Sequence, residues 1–82
     1  MINSMKLRVS GYVLKTYEKQ DKEKNTVKVG CHLYTDDGDF CSISNVPADF
    51  QNLKQFEHID DVPIKIDVYE GRQYVTFDHY AN

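Results

Sequence analysis

No stretch of this chain approaches the ~20 consecutive apolar residues that a bilayer-spanning helix needs. The opening Met1-Ile-Asn-Ser-Met5 also lacks the basic and apolar regions of a signal peptide. A cytoplasmic protein without a membrane partner is therefore expected. Cysteine is scarce. Cys31 and Cys41 are too few for the disulfide framework of a small secreted domain. Both fall on one apolar face, where they read as buried, reduced thiols. Positive charge is not in excess either: ten Lys and Arg stand against thirteen Asp and Glu, a formal charge of -3. Most proteins that grip phosphates are basic. Net charge governs long-range steering, however, and a local basic strip can coexist with an acidic total.

Motifs for catalysis are missing too. There is no Gly-rich phosphate loop, no His-Glu-x-x-His and no Cys-x-x-Cys. His32, His58 and His79 lie on different elements, and His32 reaches Cys31 or Cys41 only by crossing a sheet, which argues against a zinc site. The acidic runs Asp36, Asp37, Asp39 and Asp60, Asp61 read as turn residues, because Asp side chains bond nearby backbone groups. The expectation is a protein that is not an enzyme, with no catalytic residues, no metal and no cofactor.

What is present is alternation. The 82 residues suffice for one domain with a small core, residues 1–5 and 80–82 being loose ends. From Thr26 to Ser44, the apolar positions Val27, Val29, Cys31, Leu33, Cys41 and Ile43 alternate with Lys28, His32, Tyr34, Phe40, Ser42 and Ser44. Period-two patterning predicts a hairpin with one face in the core and one in water. A three-residue loop, Asp36-Asp37-Gly38, pairs Leu33 with Cys41, Tyr34 with Phe40 and His32 with Ser42, and keeps both faces consistent; a two-residue turn would not. Upstream, Lys6–Tyr17 reads as a long first strand. Leu7, Val9, Gly11 and Val13 share one side, and Lys6, Arg8, Ser10 and Tyr12 the other. Gly11 marks a bend that would let the strand pair in two places. Residues 18–25 read as a polar loop or hairpin tip. Pro47 opens a short helix of about two turns carrying Phe50, Leu53 and Phe56 inward. Residues 62–69 and 72–77 form a last hairpin around Glu70-Gly71, with Val68, Ile66 and Ile64 facing Gln73, Val75 and Phe77.

This order predicts a mostly β fold: a five-stranded antiparallel barrel of the OB type, with a short helix between strands three and four. An open sheet or SH3-like barrel is the alternative. The outer face of the first three strands carries Lys6, Arg8, Tyr12, Lys28, His32, Tyr34, Phe40 and Ser42 and no carboxylate. Rings that can stack on bases beside cations that can hold phosphates are the chemistry of single-strand binding. Single-stranded DNA is the expected partner, with RNA as a further option; a protein-interaction module using the same face or a strand edge is the competing reading.

In length, strand order, the polar hairpin at 18–25 and this aromatic-basic face, the chain resembles the small OB-fold single-stranded DNA-binding proteins of phages and mobile elements, of the filamentous-phage gene V type. The resemblance implies stacking roles for Tyr12, Tyr34 and Phe40 and phosphate roles for Lys6, Arg8 and Lys28. It also implies a homodimer that coats single strands. The acidic balance and the mixed charges of residues 18–25 depart from that pattern.

Overall fold

The computed structural model describes residues 3–81. Its elements are β1 (Asn3–Asp21), β2 (Thr26–Thr35), β3 (Phe40–Val46), a 3-10 turn (Ala48–Asn52), β4 (His58–Tyr69) and β5 (Arg72–Phe77). The five strands form one sheet that closes in a ring in the order β1-β2-β3-β5-β4. The core lies inside it. Val13, Cys31, Leu33 and Ile43 are fully buried, and Val29, Val46, Val62 and Ile64 nearly so. Phe50, Leu53, Ile66, Val75 and Phe77 pack against that cluster. None of its helices is long and apolar enough to cross a membrane among the described residues.

β1 holds the ring together. Its first half, Asn3 to Val9, pairs with β4, and its second half, Gly11 to Asp21, pairs with β2. The exchange of partners falls at Gly11, which pairs with both Thr35 and Ile59. A methyl group there would stand 2.8 Å from the Thr35 Cα, so only glycine lets the strands approach so closely. Pairing begins at Asn3, inside the stretch expected to be loose; residues 1, 2 and 82 of the expected loose ends lie outside the described residues.

Both hairpin registers follow the alternation. Leu33 faces Cys41, Tyr34 faces Phe40 and His32 faces Ser42. The Thr35 amide donates to the Asp39 carbonyl at 2.8 Å, and Gly38 sits at φ +90, the left-handed position that the three-residue loop requires. In the last hairpin Ile64, Ile66 and Val68 face Phe77, Val75 and Gln73.

Four expectations need correction. The sheet is mixed, because β3 and β5 run parallel where Ser44 meets Thr76. Five strands in a ring cannot alternate direction all the way round, so one neighbouring pair must be parallel. The connection from β3 to β4 holds a single 3-10 turn and not a two-turn helix: Leu53 is already extended (φ -73, ψ 139), and its amide donates to Phe50 O at 3.1 Å. A period of three keeps Phe50 and Leu53 on the core side, but Phe56, at φ +68, points out and is 64% exposed. Of residues 18–25, expected as a loop or hairpin tip, 18–21 continue β1 as strand and the tip narrows to a turn at 22–25. Asp21 shapes that turn, its Oδ1 accepting the amides of Glu23 at 3.1 Å and Lys24 at 3.3 Å. Finally, the register shifts between Val9 and Gly11, where a bend was expected, and a second time between Val13 and Lys15, where none was. The second inserts Leu14 and reverses which side the following residues face.

Candidate nucleic-acid interface

Leu14 decides the composition of the outer face. Beyond the bulge Lys15 lies opposite His32, Tyr17 opposite Gly30 and Lys19 opposite Lys28. Tyr17, an odd-numbered residue, thereby joins the even-numbered His32 on the wet side. The two rings stack at 4.9 Å between centroids and 27° between planes. His32 stacks in turn on Phe40, at 5.3 Å and 29°. The result is a diagonal column of three rings crossing β1, β2 and β3. Diagonal neighbours on one sheet face are within reach of aromatic side chains. Gly30 makes room for it, since a Cβ there would fall inside the Tyr17 ring.

The end rings keep an open side. Phe40 is 64% exposed, on the edge of β3 that β5 touches only at Ser44. In the middle, His32 Nδ1 is buried without a hydrogen-bond partner among the described residues. Tyr34 lies between Tyr12 and Phe40 in register, with Tyr12 and Tyr34 about half exposed. Tyr12 also meets His58 edge to face at 4.9 Å. That histidine is held by Asp36, 2.9 Å from Nε2, and by Asp60, 3.6 Å from Nδ1. The triplet ties the β2–β3 turn to the start of β4. Its ligand atoms are close enough to hold a cation, a grouping that the sequence reading passed over; the ring is already engaged by a carboxylate on each side.

The cations divide into two groups. Lys15, Lys19 and Lys28 stand on the same outer face as the column. They are exposed and make no ion pair among the described residues. Lys28 was expected there; Lys15 and Lys19 were not. Lys6 and Arg8 belong to the half of β1 that pairs with β4. Lys6 faces Lys65, and Arg8 faces Pro63 and donates from Nη1 to the Asp61 carbonyl at 3.2 Å. Both line a shallow groove with Pro63, Asp78 and Tyr80. The structure therefore brings Tyr12, Lys28, His32, Tyr34, Phe40 and Ser42 together on β1–β3 and leaves Lys6 and Arg8 beside β4.

Where the β1–β2 hairpin curls beyond the column there is a groove of about 480 Å³. Tyr17, Lys19, Lys28, Gly30 and Ser44 line it, with Asp21, Lys22 and Glu23 from the hairpin end. Across the sheet, inside the ring, burial pushes the Cys31 thiol up to about 11, helped by the neighbouring Cys41; burial raises Cys41 too. Both are free thiols, Cys41 only partly buried. No family model, curated protein or solved structure matches this chain.

Proposed function

We propose that this chain is an OB-like, non-enzymatic protein that binds single-stranded nucleic acid on the outer face of β1–β3. The observation that carries the reading is the Tyr17–His32–Phe40 column, bordered by three unpaired lysines on a face without carboxylates between Tyr12 and Lys19. An exposed ring at the end of such a column is a platform on which a base can continue the stack, and stacking of this kind contributes ~1–3 kcal/mol per base. Strands two and three of an OB-type barrel are also where oligonucleotides bind. The acidic excess does not oppose this, because it lies in the turns and around β4. The test is fluorescence anisotropy of labelled oligothymidylate and oligouridylate at low salt. Phe40→Ala should weaken binding by roughly thirtyfold, the middle of the stacking range, with an unchanged circular dichroism spectrum. Equal affinity of the two proteins would overturn the role of the column.

One observation favours a second reading, a protein-interaction module. Among the described residues, the edge of β1 from Asn3 to Val9 pairs with β4 on one side only. It also exposes Met5 and Leu7. Free strand edges accept an added strand from a partner. This reading predicts a stable protein complex that survives Phe40→Ala and fails with a proline at Leu7.

A further inference from the structure

Lys19 and Lys28 are directly opposite each other on adjacent strands, on the same face, and neither has a carboxylate partner among the described residues. Like charges in this position destabilise a sheet, and the chain has thirteen carboxylates with which it could have relieved the pair. Both lysines and Tyr17 line the groove described above, together with Ser44, Asp21, Lys22 and Glu23. A polyanion could enter this groove from the aromatic column. Beyond the two lysines, at the β1–β2 turn, Asp21 and Glu23 stand with Lys22, so the positive charge of the groove is concentrated at Lys19 and Lys28.

From these facts we infer that the groove receives the end of a strand, with a terminal phosphate between Lys19 and Lys28. The inference rests on the single-strand reading of the same face and adds which part of the strand sits where. A phosphomonoester carries about -1.5 to -2 at neutral pH, more charge than an internal diester. It therefore gains more from two facing lysines. The nucleotide next to it lies over Tyr17 and Gly30 and leads toward His32 and Phe40.

The experiment compares three dye-labelled thymidine pentanucleotides in low salt: one with a 5′-phosphate, one with a 3′-phosphate and one with both ends as hydroxyls. One of the two phosphorylated strands should bind at least fivefold tighter than the hydroxyl form, which also gives the direction of the strand. That gain should vanish in Lys19→Ala/Lys28→Ala and persist in Lys54→Ala, a lysine outside this face. Removing a like-charge pair should leave the melting temperature unchanged or raised, so a folded variant is available for the comparison. Measurable but equal affinity for all three strands would overturn the terminal-phosphate site and leave the stacking reading intact. A gain that survives the double substitution would overturn it as well. If none of the three binds, the single-strand reading itself fails.

Discussion

Gly30 illustrates how one residue without a side chain can build a site. Its missing Cβ lets the Tyr17 ring lie over β2 and against His32. The atoms that an added methyl would strike belong to the far end of a movable side chain, so Gly30→Ala should displace the ring and not the backbone. Oligonucleotide affinity should drop several-fold, while the thermal midpoint shifts little; a large loss of stability with retained affinity would contradict this account. Cys31 is the opposite kind of residue, inert and enclosed. Its folded-state pKa is raised to about 11 by burial and by Cys41, above the ordinary thiol value. Between those values the unfolded chain releases a proton that the folded chain keeps, so the stability this thiol contributes is lost as the pH rises from about 9 to 11. Urea midpoints measured across that window should fall less steeply in Cys31→Ala than in the parent protein. The difference between the two slopes isolates the contribution of Cys31.

Among the elements, β1 matters most, because two strands depend on it. Gly11→Ala drives a methyl into the backbone of Tyr34 and Thr35 at the point where β1 changes partners. Neither neighbour can swing aside as a side chain would. Overpacking of this sort costs about 1–3 kcal/mol, which chemical denaturation would detect as a lower midpoint with the slope unchanged. The two hairpins were readable in the sequence because their alternation is unbroken: the DDG turn admits only one register that keeps Leu33 and Cys41 inside. The faces of β1 were readable to Val13 and unassigned after it. An inserted residue changes neither composition nor β propensity, yet it moves every later side chain to the other face. Strict alternation would place Lys15 and Lys19 on the core side with Val13. Two lysines at core positions were the available sign of a bulge, and they would have revealed Tyr17 as part of the site. Lys6 and Arg8 were correctly put on the outer side of β1, but alternation along one strand cannot tell which neighbour lies beside each half. The 3-10 turn was anticipated in its i, i+3 contacts and not in its length, since those contacts suit both helix types.

At the scale of the whole molecule, charge is sorted by position. The acidic excess sits in turns and around the second hairpin, and the strip between Tyr12 and Lys19 is cationic and aromatic. Binding should therefore depend on salt only through the few lysines on that strip. With Lys15, Lys19 and Lys28 each neutralising one phosphate, the slope of log K against log salt is expected near -2, taking about 0.7 per contact for single strands. A titration at four salt concentrations measures it. A slope near zero would mean that phosphates are not contacted, and one beyond -5 would require cations from outside this face. The ring also has an uneven construction. Four of its five junctions are long antiparallel ladders, whereas β3 and β5 meet at Ser44 and Thr76 alone. In mechanical terms that junction is the clasp of a bracelet. With one ladder pair, and the His79 ring against the Asn45 carbonyl beside it, it is expected to open before the ladders do, so the amides along β3 and β5 that face it should trade hydrogen for deuterium ahead of the rest.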